Sequence, residues 1–276
     1  MRLSWTPSSV ALVRPGNLLL AAGGVAVGGF LALGRAAFPA ALLWAMGSAV
    51  GLGAAGTAAN DVFDLEADRV NRPLRPLVTG ALSRRAAVVV AGVAGGLGLW
   101  AAWWVSPGLF VIALAALAVM IAYSPVFKAR GLPGNVAVAV VASLPLVYGA
   151  VAVGDWRAGL VPFVLAALLH LARELVKDLG DVPGDLAIER RTVPIAWGMK
   201  AGFLAAAGVV ALFLPVALVP WVAGWYGWRY GVVVMVLDLA LVFLVVRLAQ
   251  GRPGGARGAL KAAMLVGLVA LLWDRL

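Results

Sequence analysis

The chain has 276 residues, of which 63% are hydrophobic and only 12% charged. An ordinary soluble domain carries about 25% charged residues, so that class is excluded. The absence of cysteine removes disulfides, thiolate metal ligands and a cysteine nucleophile. The net charge of +10 reflects the Arg- and Lys-rich cytoplasmic loops of a membrane protein more simply than a nucleic-acid surface.

Apolar runs of about 20 residues recur along the chain, and each is long enough to cross a bilayer. Strand alternation is absent, and Leu, Ala, Val and Gly dominate. The expected fold class is therefore all-α, a polytopic membrane protein. Met1 to Gly16 show no cleavage-site pattern, and no removable signal peptide is expected. Nine spans are predicted, at about 17–34, 38–60, 86–104, 107–124, 134–153, 157–177, 201–222, 229–248 and 257–273. Pro145 and Pro215 fall inside spans, where neighbouring helices can re-satisfy the freed backbone groups. Gly24 with Gly28, and Gly92 with Gly96, would allow helices to approach closely. No linker or low-complexity segment interrupts the chain, so residues 1–276 read as one membrane domain.

With the N-terminus inside, all but four of the 22 lysines and arginines fall on the cytoplasmic side; only Arg35, Arg157, Arg229 and Arg275 lie outside. That asymmetry sets the orientation in the cell's inner (cytoplasmic) membrane. Trp100, Trp103, Trp104, Trp221 and Trp225 then form a belt at the outer interface.

Two acidic ladders end on the cytoplasmic side, after spans two and six. Asn60, Asp64 and Asp68 are spaced four apart, which stacks them on one helix face. Asp61 lies beside them, and Arg69, Arg72 and Arg75 follow. The second ladder is Asp178, Asp181 and Asp185, followed by Arg190 and Arg191. Asp64 to Asp181 and Asp68 to Asp185 are each 117 positions apart. Nine of the 12 acidic residues lie in or beside the ladders: Asp61, Asp64, Glu66, Asp68, Glu174, Asp178, Asp181, Asp185 and Glu189. Carboxylates at membrane helix ends are costly and mark a site. The common offset covers four spans, which suggests two four-helix halves plus a ninth helix.

Mg²⁺ takes oxygen ligands and is commonly held by one or two carboxylates plus substrate phosphates. Two ladders with interleaved Arg and Lys suit a diphosphate bridged by Mg²⁺, and the apolar body suits its lipid tail. Cations would neutralise the charge that builds on a departing diphosphate. An allylic prenyl chain that loses diphosphate leaves a carbocation, and a nucleophile beside it completes a prenyl transfer.

These residues resemble the UbiA superfamily of intramembrane prenyltransferases. The family's first acidic motif matches Asn60, Asp61, Asp64 and Asp68, and its second matches Asp178, Asp181 and Asp185. A Tyr-Ser…Lys element ahead of a Gly-x-x-Gly-Asn turn matches Tyr123, Ser124, Lys128, Gly131, Gly134 and Asn135. An Arg-Pro-x-Asn element matches Arg14, Pro15 and Asn17. The resemblance covers essentially the whole chain. It implies nine helices around a central cavity with a cytoplasmic cap, open laterally to lipid, and two Mg²⁺ ions on the diphosphate. Asp64 and Asp68, with Asn60, are expected to hold one ion; Asp181 and Asp185, near Asp178, the other, with Asp61 among the candidate ligands. Lys128 and Arg72 or Arg75 are expected to grip the diphosphate. Arg14, Asn17, Ser124, Lys177 and Arg191 complete the substrate-binding candidates.

Asn71-Arg-Pro-Leu-Arg-Pro76 with Thr79-Gly80, Arg173-Glu-Leu-Val-Lys-Asp178 and Arg191-Thr-Val-Pro-Ile195 are most similar to the branch that alkylates geranylgeranylglyceryl phosphate. Gly180 departs from the acid common there, and Pro183 interrupts the second ladder. The expected partners are a polyprenyl diphosphate, a hydrophobic or phosphorylated acceptor and membrane lipid, with no nucleic acid. A second reading is an aromatic-acceptor prenyltransferase feeding quinone synthesis. A third, from another class, is a cation-coupled transporter, whose acids would lie near the bilayer midplane in broken helices. Tyr123 and Tyr148 are candidates to face a carbocation, with packing the alternative. His170 and Asp238 are expected to be structural.

The charge asymmetry predicts that reporter fusions after Arg85 and after Arg191 both report the cytoplasm. An external signal at either would separate the two ladders and overturn the topology.

Overall fold

Ser106 both ends one span and starts the next. Its hydroxyl accepts a hydrogen bond from the Leu109 N–H at 3.1 Å, and Pro107 opens the following helix. Ser83 caps the preceding helix in the same way, accepting from Ala86 N–H at 3.2 Å. Such signals divide the apolar sequence in the computed structural model, which describes residues 12–127 and 130–276. The helices are α1 (Pro15–Leu33), α2 (Ala40–Phe63), α3 (Leu65–Asn71), α4 (Arg84–Val105) and α5 (Pro107–Ala122). They continue with α6 (Leu132–Ala152), α7 (Leu160–Ala187), α8 (Val193–Trp197), α9 (Met199–Val222), α10 (Trp228–Ala249) and α11 (Ala256–Trp273). A π-helical turn, Tyr123–Phe127, extends α5, and a 3₁₀ turn, Trp156–Gly159, leads into α7.

Among the described residues there is no strand, and nine helices are long and apolar enough to cross a membrane; α3 and α8 are short cap pieces. The protein is a multi-pass membrane protein of the all-α class. Eight spans begin and end within three residues of the positions expected from the sequence. The exception is α7, which continues to Ala187. Its 28 residues rise about 42 Å, against about 30 Å of bilayer hydrocarbon, so its last turns project beyond the apolar layer.

Buried side chains form two main clusters. Leu42, Leu52, Leu109 and Tyr148 belong to one, built largely from α2, α4 and α5. Leu169, Leu175, Phe213, Leu244 and Leu260 belong to the other, built from α7, α9, α10 and α11. The helices α1 and α6 lie between these halves. A Cβ on Gly28 would strike the Leu146 carbonyl, and one on Gly149 would strike the Val25 carbonyl, so α1 and α6 meet backbone to backbone.

The expected pair Gly92 and Gly96 faces open space; Gly95 and Gly98 form the buried edge of α4 against α2. Spacing alone did not fix which face of α4 turns inward. Trp100, Trp103, Trp104 and Trp225 are exposed at the ends opposite the acidic ladders, as expected of a belt. Trp221 instead packs over Gly231.

Gly149→Ala is expected to destabilise the protein by about 1–3 kcal/mol through overpacking, while Gly92→Ala stays within about 1 kcal/mol of the parent. Thermal unfolding in detergent compares the two, and equal effects would contradict the close α1–α6 contact.

Candidate active site

The first ladder lies on a bent helix. Asp64 joins α2 to α3 with φ −88° and ψ 6°, outside regular helix geometry. The backbone ladder nevertheless continues, with Asp64 N–H donating to Asn60 O and Asp68 N–H to Asp64 O, each at 2.8 Å. The three residues keep their succession without sharing one straight helix.

The second ladder stays on one helix despite Pro183. Proline lacks the N–H that would continue the backbone ladder. Asn71, at the end of α3, reaches across to this stretch. Its amide nitrogen donates to Asp181 O at 3.0 Å, and its amide oxygen accepts from Gly184 N–H at 3.0 Å. A Cβ on Gly184 would collide with that amide. The end of the first ladder's helix is thus tied to the backbone of the second on either side of Pro183.

Arginines bind the ladders to each other. Arg72 donates to Asp68 at 3.0 Å and to Asp181 at 2.6 Å. Arg190 lies 2.6 Å from Asp64 and 3.6 Å from Asp185. Arg75 pairs with Asp68 at 2.7 Å and also with Asp61, which Arg14 reaches as well. Burial alone would lower the pKa of Arg72, but Asp181 and then Asp68 raise it above the ordinary value. Burial, with Arg14 nearby, lowers that of Arg75, against the pull of Asp61 and Asp68. An arginine pKa begins so high that both remain cations. Two left-handed residues frame the network: Arg14 at φ 53° and Glu189 at φ 55°. Such conformations are uncommon outside glycine and cluster at functional sites. The turn at Glu189 folds the chain back, and Arg190 N–H donates to Asp185 O at 2.9 Å.

Beneath this network is a cavity of about 720 Å³. Its polar mouth carries Arg14, Asn17, Asn60, Asp64, Arg72, Arg75, Tyr123 and Lys177. Its body is apolar, with Leu20, Leu52, Leu165, Phe213 and Leu237 among its walls, and His170 and Tyr148 also reach it. Lys177 pairs with Glu174 on the next turn of α7.

Five of the ladder acids are not on the wall. Asp61, Asp68, Asp178, Asp181 and Asp185 are buried just behind it. Asp178 accepts from Asn135 Nδ2 at 2.8 Å, and Ser124, also behind the wall, donates to Asn60 Oδ1 at 3.4 Å. Arg191 does not join the site; it is exposed beside Arg130, Leu132 and Trp197 in a separate depression. The turn at Glu189 gives the inward position to Arg190 instead. Lys128 lies outside the described residues.

Among the described residues, no three acids converge as a ready metal cage. The donor set nevertheless suits a hard divalent cation: carboxylate and amide oxygens, with no thiolate and one histidine in the chain. One guanidinium already spans Asp68 and Asp181, so those two carboxylates face each other with one cation between them. Asn71, Glu174, Arg190, Arg257 and Lys261 belong to the site or its cavity, although the sequence did not put them among the metal or substrate-binding candidates. Arg190 and Arg191 are indistinguishable until the backbone turn is known.

Residues 21–269 match the UbiA prenyltransferase family. The chain belongs to the UbiA prenyltransferase family. It is 38% identical to digeranylgeranylglyceryl phosphate synthase of Natronomonas pharaonis, over 97% of this chain and 96% of that protein. A solved structure described as digeranylgeranylglyceryl phosphate synthase in membranes superposes with a TM-score of 0.80 at 23% identity, covering 97% of each chain. A UbiA homolog from Archaeoglobus fulgidus bound to DMAPP and Mg²⁺ superposes with a TM-score of 0.69 at 16% identity, covering 97% of this chain and 98% of that one. These two likenesses establish that the chain shares its fold with UbiA homologs.

Removing Arg190 as Arg190→Gln would break two buried ion pairs at once. The expected loss is about 3–5 kcal/mol of stability. Arg69→Gln, which breaks an exposed pair with Glu66 at 2.9 Å, is expected to change stability by about 1 kcal/mol or less. Denaturant unfolding of both variants in detergent decides the matter.

Proposed function

We propose that this protein transfers a prenyl group from a polyprenyl diphosphate to geranylgeranylglyceryl phosphate, in a Mg²⁺-dependent reaction at the cytoplasmic face of the membrane. The whole chain, residues 1–276, acts as one transmembrane prenyltransferase domain. The observation that carries this reading is the cavity's division into a mouth of cations and buried carboxylates and an apolar body. Family membership and relatives named digeranylgeranylglyceryl phosphate synthase support the acceptor.

The proposed donor lies with its diphosphate at the mouth and its isoprenoid tail in the apolar body. Asn60, Asp64 and Asp68 on one side, and Asp178, Asp181 and Asp185 on the other, would hold the metal. When bound, Mg²⁺ supplies positive charge that offsets the charge gathering on the leaving diphosphate. Arg72 and Arg75 remain cationic and add to that stabilisation from fixed positions. The bond from the allylic carbon to diphosphate oxygen breaks, and the electron pair leaves with the diphosphate. The acceptor glycerol has one hydroxyl left after one ether and one phosphate ester. Its oxygen forms the new carbon–oxygen bond, and its proton passes to the departed diphosphate. Tyr123 and Tyr148 present aromatic rings to the cavity, where a ring face favours a passing carbocation. The apolar walls keep water from capturing that carbocation.

Asp64→Asn and Asp181→Asn keep side-chain size and remove one charge each. Turnover is expected to fall about a hundredfold in each, equivalent to roughly 3 kcal/mol of transition-state stabilisation. Excess EDTA is expected to abolish the wild-type reaction. Steady-state assays on folded protein, with labelled prenyl diphosphate and either glyceryl phosphate or aromatic acceptors, test this. Wild-type turnover in both variants, or full activity in EDTA, would refute the mechanism; transfer to an aromatic acceptor alone would refute the proposed acceptor.

A further inference from the structure

The last helix, α11, presents an amphiphile-shaped face to the cavity. Arg257 and Lys261 stand one turn apart near its start, and Met264, Leu265, Leu268 and Leu271 continue down the same face. All six line the cavity wall. Two cations therefore sit above an apolar stripe long enough to accompany a lipid chain. On the neighbouring helix α10, Tyr230, Val234 and Leu237 add three more apolar cavity residues at helical spacing.

The charge of these two residues is little neutralised within the protein, where one long contact from Arg257 to Asp181 is their ion pair among the described residues. Arg14, Arg72 and Arg75 are neutralised by the first ladder and Asp181, and Arg173 and Lys177 share Glu174. Among the described residues, Lys261 has no ion pair, and Arg257 comes no closer than 3.9 Å to Asp181. The first turn of α11 holds no acid, and the helix dipole there disfavours cations. Arg257 is nevertheless held in place. Its Nη2 donates to the Lys177 carbonyl at 2.9 Å, and a Cβ at position 180 would press on the guanidinium. Gly180 gives Arg257 its seat, while half of the Arg257 side chain stays accessible.

We propose that Arg257 and Lys261 form the subsite for the phosphate monoester of the acceptor lipid, with the apolar face of α11 guiding the acceptor's chain. This rests on the acceptor class proposed above. A monoester carries up to two negative charges and several acceptor oxygens, which matches a guanidinium and an ammonium one turn apart. The arrangement separates the two substrates. The donor's diphosphate lies with the ladders on α2, α3 and α7, and the acceptor's phosphate lies on α11. Asp181 stands between Arg72 and Arg257, so it adjoins both anionic sites.

The test is equilibrium binding in detergent of labelled geranylgeranylglyceryl phosphate, its dephosphorylated counterpart and geranylgeranyl diphosphate. The proteins compared are the wild type, Arg257→Gln, Lys261→Gln and the double variant. The wild type is expected to bind the phosphorylated acceptor at least about tenfold more tightly than the dephosphorylated one. Each single variant should narrow that ratio and the double variant should abolish it, while diphosphate binding changes less than about twofold. Retention of the ratio in the double variant would overturn the subsite, as would a wild type that does not discriminate. An equal loss of donor binding would overturn it too, assigning the cations to the diphosphate. If the double variant does not fold, Lys261→Gln, at an exposed position without an ion pair, carries the same comparison. Turnover of the wild type with each acceptor class is a separate measurement and judges the functional reading by itself.

Discussion

Five carboxylates buried beside one another at the edge of a membrane would repel strongly, and each would lose hydration. The arginine bridges between the two ladders answer both costs. Arg72 joins Asp68 to Asp181, and Arg190 joins Asp64 to Asp185. Because each bridge links the α2–α3 end to the α7–α8 end, the bridges also tie the two halves of the molecule at the mouth of the cavity. Asn71 adds a neutral link across the same gap. The cavity beneath needs this closure, since its walls come from two hydrophobic clusters with the opening between them.

The carboxylates have a double use under the proposed function. They hold arginines in the structure and would hold Mg²⁺ in the reaction. Both are cations meeting the same oxygens, so the ladder charge has a partner in either state. Most of these carboxylates lie behind the cavity wall while arginines stand on it. The surface offered to an entering diphosphate is therefore strongly basic, which favours its approach. The apolar body below excludes water from the place where a carbocation would form.

The cationic start of α11 gives the mouth a second centre. It differs from the first in having little internal neutralisation, and it sits above its own apolar stripe. Under the proposed function, two substrates that each join a phosphate group to an isoprenoid chain would need two such places within reach of one reacting carbon. The ladders on α2, α3 and α7 would supply the first, and α11 the second.

Much of this was legible in the sequence. Hydropathy and turn residues located nine spans, because a bilayer demands about 20 apolar residues per helix and loops are where charge collects. The acidic spacing marked the site, because so few charges occur in this chain that a ladder stands out. What the sequence left open depended on backbone direction. Arg190 faces inward and Arg191 outward because Glu189 adopts a left-handed conformation that adjacent arginines do not announce. The inward edge of α4 is Gly95 and Gly98 because α2 packs there, although Gly92 and Gly96 have the same spacing as a packing pair. The second ladder stays helical through Pro183, and Asn71, more than a hundred residues away, bonds the backbone on either side of that proline, an attachment no local spacing announces. Local composition determines which segments cross the membrane and which carry charge. Only the tertiary structure decides which charged side chains share a cavity, since pairing in an apolar setting selects partners by distance and direction.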